Sequence, residues 1–380
     1  MGVIVFVAVT QEDIVQDSYN LPPSPRMLSS LLAEWRHLSS KLEVSSANTI
    51  FFGGGTPSLM ELNTIETLVR EISGGKGDIE VSLEGNPGDL LGKISSLQSA
   101  GVTRLSVGVQ ALNDKDLLDL NRDHTVAQAL ECLHQCLATF PRSISADLLI
   151  GRPGQSVSDC LDEAEKLASL GISHLSLYQL TVERGTRLAK QVTEGQIRML
   201  DEEVMADMYL ALVECIERAG LVRYEVSNFS VPGRECKHNI GYWSGGEYIG
   251  LGPGAHSRVA EEGKRRARVN TPLPEHWMVE VERKGHGVRV DKVMNAKESL
   301  AELLASGLRR DSGISRENWE KASKGFVEME DFYRVMEHQG LGMVMSNESL
   351  RLEREKIVLV DHILPYLMVA LDELELKECD

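Results

Sequence analysis

The sequence predicts an α/β fold, in which six βα units curl into a barrel or partial barrel and a small, mainly helical domain follows. Three observations predict it. Apolar, β-rich runs alternate with helical patterns through the first half of the chain, the rhythm of parallel strands joined by crossover helices. Glycines stand where those helices should stop. The 380 residues, 42% of them hydrophobic, exceed what one compact core usually organises, so a second domain is expected.

In chain order, the candidate strands are residues 3–9, 50–52, 79–83, 104–107, 144–150 and 174–178. The first run is apolar but short, follows no basic region and meets Glu12 and Asp13. It reads as a buried strand rather than as a secretory signal or transit peptide. Leu28, Leu31, Leu32, Trp35 and Leu38 share one face of a helix. Gly101 and Gly171 end helices ahead of the next strand. Met205, Leu210, Leu212, Val213 and Ile216 mark a later helix that stops at Gly220. A Gly-rich stretch covers residues 248–256. From about Asn295 short helices lead to a hairpin signal at Met345-Ser346-Asn347-Glu348, as in a small helical or winged-helix-like domain.

Charge narrows the function. Forty Lys and Arg stand against 57 Asp and Glu, a net charge of −17, which argues against sequence-independent binding to a phosphate backbone. The run Lys264-Arg265-Arg266-Ala267-Arg268 is a local exception and reads as a solvated loop or hairpin tip. No apolar stretch approaches the roughly 20 residues that cross a bilayer, so no transmembrane segment is expected. The six cysteines are scattered and suggest no disulfide framework. Cys132 and Cys136 fall within an amphipathic helical pattern and read as core thiols rather than ligands.

Several polar residues stand at or near strand ends, where barrels of this kind gather their chemistry. Gly53-Gly54-Gly55-Thr56-Pro57-Ser58 follows the second strand, and consecutive glycines let backbone approach a ligand closely. Glu84, Gln110 and Asp147 end or interrupt later strands, and Arg122 is one candidate partner for Asp147. A carboxylate inside an apolar strand needs such a partner. Singly these residues are more often caps or ion pairs; together they outline a polar ligand site.

Three segments carry a resemblance: Phe51 to Ser58 (Phe-Phe-Gly-Gly-Gly-Thr-Pro-Ser), Arg104 to Gln110 (Arg-Leu-Ser-Val-Gly-Val-Gln) and His174 to Thr181 (His-Leu-Ser-Leu-Tyr-Gln-Leu-Thr). They resemble the coproporphyrinogen-oxidase-like family of radical S-adenosylmethionine (SAM) proteins, over most of the chain from about Thr49. The resemblance implies a radical-SAM-type partial (β/α)6 barrel. It assigns SAM contacts to Gly54, Gly55, Thr56, Glu84, Gln110, Arg122 and Asp147, with Thr181 less securely matched. A further motif, His238-Asn239-Ile240-Gly241-Tyr242-Trp243, is similar to the one that marks the HemW branch. An imidazole can ligate heme iron, and Tyr and Trp rings can pack on a porphyrin. His238, Asn239, Tyr242 and Trp243 are therefore heme candidates, with His238 the leading iron ligand and His256 a second one.

The sequence also departs from that family. Members carry a C-x3-C-x2-C loop after the first strand, whose thiolates hold a [4Fe-4S] cluster that cleaves SAM to a 5′-deoxyadenosyl radical. Here no cysteine precedes Cys132, and the corresponding stretch, about residues 8–20, offers carboxylates, which are poor ligands for such a cluster. The resemblance thus implies a heme-binding chaperone that passes heme to acceptor proteins, respiratory ones among them, and keeps a SAM site. The alternatives are a radical coproporphyrinogen III oxidase and a non-catalytic scaffold. Domains are expected at 1–24 (an atypical N-terminal segment), 25–260 (barrel and extension) and 261–380 (C-terminal domain). As encoded the chain reads as cytosolic; its animal relatives imply the mitochondrion.

Overall fold

The computed structural model describes residues 1–6 and 25–378. Its strands are β1 (Gly2–Phe6), β2 (Thr49–Gly53), β3 (Glu80–Gly85), β4 (Arg104–Gln110), β5 (Ile144–Ile150), β6 (His174–Gln179), β7 (Val222–Glu225), β8 (Asn228–Ser230), β9 (Tyr248–Leu251), β10 (His256–Glu261), β11 (Lys264–Asn270), β12 (Val288–Val293), β13 (Ile314–Ser315), β14 (Met343–Met345) and β15 (Ser349–Leu352). The six strands expected from the sequence are β1 to β6. Positions 7–9 of the first expected strand, and the stretch at 8–20 where a cysteine loop would stand, lie outside the described residues. Two compact units form: Met1–Val81 with Tyr224–Val226 and Cys236–Asp380, and Ser82–Arg223 with Ser227–Glu235.

In the first unit β1 lies between β2 and β9, parallel to both. Val3 and Val5 are fully buried and pair with Ile50 and Phe52, as an apolar strand inside a parallel sheet should. Helix Pro25–Lys41 buries Leu31, Trp35 and Leu38, the face expected from the spacing. The Gly-rich stretch becomes β9 and the start of an antiparallel run, β9-β10-β11-β12, which periodicity had not suggested.

The basic run corrects the sequence reading. Residues 264–268 are strand rather than loop, and their three arginines are paired. Arg265 meets Glu302, Arg266 meets Asp291 and Glu261, and Arg268, only 2% exposed, meets the same two acids. Only Glu262 and Gly263 form the tip, both with φ positive (52° and 72°), as a tight hairpin turn requires.

Toward the C-terminus a separate core gathers Leu300, Leu304, Trp319, Phe332, Met336, Leu350 and Leu367. It packs helices on a small β13-β15-β14 sheet, with the expected hairpin turn at 346–348. The helical C-terminal region is thus as expected. Among the described residues no helix is long and apolar enough to cross a membrane.

The second unit carries β3 to β6 as parallel neighbours, with β8 antiparallel beside β6. Register divides its two faces cleanly, because neighbours in register point the same way. Leu83, Leu105, Ile144, Ala146, Leu148, Leu175, Leu177 and Phe229 line one face and are buried. Ser82, Glu84, Arg104, Ser106, Ser145, Asp147, His174, Ser176, Asn228 and Ser230 line the other, and most of these are buried too. An inner face of that composition is suited to a polar ligand and would be costly otherwise.

Candidate functional site

The polar face is organised around Asp147. Ser106 donates its hydroxyl to both carboxylate oxygens at 3.0 and 3.1 Å, and Ser145 approaches Oδ1 at 3.4 Å. Ser145 also contacts His174 Nδ1 at 2.7 Å and Ser176 Oγ at 3.2 Å, so a chain of hydroxyls links the acid to a buried imidazole. Desolvation lifts the Asp147 pKa to about 6, against hydrogen bonds from Ser176, Ser106 and Ser145 that lower it. The same burial holds His174 well below the usual imidazole range, hence neutral. The carboxylate that the sequence paired with Arg122 is therefore met by serines from three strands. Arg122 Nη1 instead reaches Asn86 Oδ1 at 3.4 Å.

Gln110 ends β4 with φ of 65°, a left-handed conformation uncommon outside glycine, where the pairing with β5 slips between Val107 and Gln110. Local strain of this kind collects at ligand sites. Its side chain folds back over Gly108, where a Cβ would stand 2.8 Å from Gln110 Nε2. Arg152, which the sequence reading passed over, fixes this corner. Only 3% exposed, it donates to the carbonyls of Gln110 and Leu149 and pairs with Asp116 and Glu163. The Gly151-Arg152-Pro153-Gly154 turn just after a strand was the available signal. Glu84 is half-buried beside Ser106 in register, and Thr181 is exposed with its hydroxyl on Glu183. In the first unit, Gly54 and Gly55 follow β2 with φ of 74° and 59°, the conformations that make glycine the natural residue there.

The His-Asn-x-x-Tyr-Trp residues occupy the short helix Lys237–Trp243. Glu80 caps it by accepting the backbone N–H groups of Lys237 and His238 at 3.2 and 3.0 Å. His238 is 6% exposed, lies stacked at 5.1 Å on Phe51, and shares a 2.9 Å hydrogen bond between Nδ1 and Thr49 Oγ1. Its Nε2 is buried with no hydrogen-bond partner among the described residues. Burial lowers the ring's pKa to about 4, so it is neutral near pH 7, and a proton on Nδ1 leaves a lone pair on Nε2.

His238 and Tyr242 line a cavity of about 890 Å³ with Thr49, Tyr248 and Leu303. Trp243 faces a neighbouring hollow of about 310 Å³, with the Arg309 guanidinium 5.8 Å from its ring centre. Asn239 is half-buried on the same helix. His256 is exposed at the start of β10 and is not brought to this cavity. Thr49 opens β2 and the glycine turn follows Gly53, so the cavity and the turn lie at opposite ends of one strand, about 13 Å apart along it.

Comparison with known proteins settles the kinship. The chain is 37% identical to the mitochondrial radical S-adenosyl methionine domain-containing protein 1 of Danio rerio over 358 residues, 91% of this chain and 81% of that protein. It is 32% identical to the heme chaperone HemW of Lactococcus lactis over 80% of this chain and 78% of that one. The chain belongs to the HemW-type radical SAM family. The Radical SAM superfamily model matches residues 30–177. The solved structure of coproporphyrinogen III oxidase (HemN) from Escherichia coli shares the fold, with a TM-score of 0.75 over 98% of this chain and 89% of that one, at 14% identity.

This radical SAM membership implies SAM and a [4Fe-4S] cluster, and the two fit the chain unequally. Within the second unit the strained Gln110 and the hydroxyl-bound Asp147 suit a polar ligand, and within the first the paired positive-φ glycines leave backbone open to one. For the cluster, no group of three His, Cys, Asp or Glu among the described residues is placed to hold a metal. Cys132 and Cys136 are buried 3.9 Å apart on one helix, and their mutual hydrogen bond and burial push the Cys136 thiol far up, away from the thiolate a cluster needs. The described thiols do not fit a cluster.

Proposed function

We propose that this HemW-type protein is a heme-binding chaperone that passes heme to acceptor proteins, respiratory ones among them, with a SAM site kept on its barrel strands. The observation that carries the reading is the buried, unpartnered Nε2 of His238 beside a cavity walled by Tyr242 and Tyr248. A neutral imidazole with one nitrogen committed to Thr49 and the other lacking a partner is the form in which histidine ligates iron. Nε2 is closed to solvent, so iron reaches it only when the short helix shifts, a movement that also suits release to an acceptor. Tyr242, 42% exposed, offers its ring at the surface of the same motif.

Strand geometry supports a carrier rather than a catalyst. The residues that would hold heme, around His238, and the glycine turn that would hold SAM lie at opposite ends of β2, about 13 Å apart along it, so they do not share one reacting centre. On this reading Gly54, Gly55, Thr56, Glu84, Gln110, Arg122 and Asp147 orient SAM, with Thr181 at the margin. The names of the animal relatives support a mitochondrial location.

Absorbance titration with hemin, run beside a His238→Ala variant, tests the reading. The expected result is a saturable Soret shift that weakens at least about 10-fold in the variant, the loss of roughly one good ligand interaction. An unchanged shift in the variant would move the ligand elsewhere, His256 being next, and no saturable shift would end the heme reading.

A further inference from the structure

On a chain of net charge −17, the large cavity has an opposite lining. Lys237, Arg265, Lys321 and Lys324 line it against one carboxylate, that of Glu247. Their source is as informative as their number. Lys237 opens the short helix, Arg265 comes from β11, Lys321 lies in the last turn of helix Arg316–Ser323 and Lys324 follows directly after it. Four cations from three elements converge on a hollow whose walls include the rings of Tyr242 and Tyr248 and the side chain of Leu303, alongside polar residues such as Asn48, Thr49 and Asn318.

Ordinary structural duties account for some of this charge but not all. Arg265 is committed to Glu302 at 3.0 Å, and Lys321 reaches Glu317 at 2.6 Å in a pair whose side chains are 69% and 75% exposed, which contributes little. Lys324 takes the left-handed conformation (φ 50°) with Nζ on the Gly263 carbonyl at 2.7 Å, a polar contact that leaves its charge uncompensated. The Lys237 backbone N–H is taken by Glu80, but its ammonium forms no ion pair among the described residues. A helix C-terminus attracts lysines by its dipole, which would explain Lys321 and Lys324 but not Lys237 or the convergence on one hollow.

We infer that Lys237, Lys321 and Lys324, supported by Arg265, form an anion clamp that takes the carboxylates of an amphiphilic ligand whose apolar body rests on Tyr242, Tyr248 and Leu303. The inference rests on the heme reading for the identity of that body, and it assigns these lysines to the two propionates. It adds residues outside the His-Asn-x-x-Tyr-Trp motif, from the hairpin and the C-terminal core, to the same site.

The test compares hemin with hemin dimethyl ester, whose propionates are uncharged, on the wild-type chain and on a Lys321→Gln, Lys324→Gln variant. Both lysines are exposed, so the fold should tolerate the change, and circular dichroism checks it. The clamp predicts that wild type binds hemin at least about 10-fold more tightly than the ester. It predicts that the variant loses that preference by weakening hemin alone, and that 0.5 M salt does the same to wild type. Equal binding of the two porphyrins by wild type, or a preference for hemin that survives in the variant, would overturn the clamp and leave the heme reading standing. Failure of either porphyrin to bind wild type saturably would overturn both.

Discussion

Asp147 and His238 are both ionisable groups held in the protein body, and they are met differently. Around Asp147 the hydrogen-bond partners are hydroxyls, which can exchange donor and acceptor roles, while the charge of Arg104 favours the ionised carboxylate. Around His238 one ring nitrogen has Thr49 and the other has no partner among the described residues. A buried polar group without a partner is unfavourable in isolation and persists where something else uses it. Among the described residues both regions keep unserved polar atoms, Ser82 Oγ and Ser230 Oγ on the Asp147 face and Nε2 on His238, but the Asp147 carboxyl itself is served whereas the His238 ring is served on one side alone.

Removing the groups should expose the difference most. Asp147→Leu strands the hydroxyls of Ser106, Ser145 and Ser176 and should cost about 3 kcal/mol in urea unfolding. His238→Leu removes one hydrogen bond and an unserved nitrogen, and should cost about 1 kcal/mol or less. Equal losses would erase the distinction drawn between the two sites.

Stability against pH sharpens it, because the two groups slope in opposite directions. Asp147 has its pKa raised from 3.8 to about 6, so its contribution is fully present below 3.8 and is lost as pH rises through 6. His238 has its pKa lowered from 6.5 to about 4, so its contribution is present above 6.5 and is lost as pH falls through 4. Each amounts to about 3 kcal/mol at most. Unfolding midpoints taken from pH 3.5 to 7.5 should show Asp147→Asn gaining on wild type as pH rises, and His238→Gln gaining as pH falls. Parallel curves for all three proteins would contradict both burial effects.

The smallest change tests the partners alone. Ser106→Ala takes away the closest donor to Asp147, and Thr49→Val takes away the single partner of His238; each should cost about 1 kcal/mol. Ser106→Ala should also raise the Asp147 pKa further, which the carboxyl's NMR titration would report. A pKa that fell would mean that Ser106 does not donate to the charged form.

Much of the barrel was legible because strands and helices announce themselves locally. The alternation Arg104-Leu105-Ser106-Val107 already separates the polar from the apolar face, and the apolar run at 144–150 marks β5. The meander after Gly250 was missed, since glycines conceal a strand's periodicity. The basic run was misread because the acids that turn it into a paired strand, Asp291 and Glu302, lie 20 or more residues away in sequence. Glu34 was missed altogether. It sits on a helix face among ordinary polar residues, yet it is fully buried and accepts N–H donors from Gly252, Asn270, Trp277 and Gly287; burial lifts its pKa to about 7.

By itself the sequence determined the order of the first six strands and the helices between them, the strongly acidic balance, the motif at 238–243 and the want of any cysteine before Cys132. Those are properties of neighbouring residues or of simple counts, and local sterics and periodicity suffice to read them. Only the tertiary structure decided that three serines serve Asp147, that Thr49 and Glu80 hold the His238 helix, and that lysines from two distant elements line its cavity. Those arrangements depend on which segments the folded backbone brings side by side, and a side chain's partner across a sheet leaves no mark in the residues next to it.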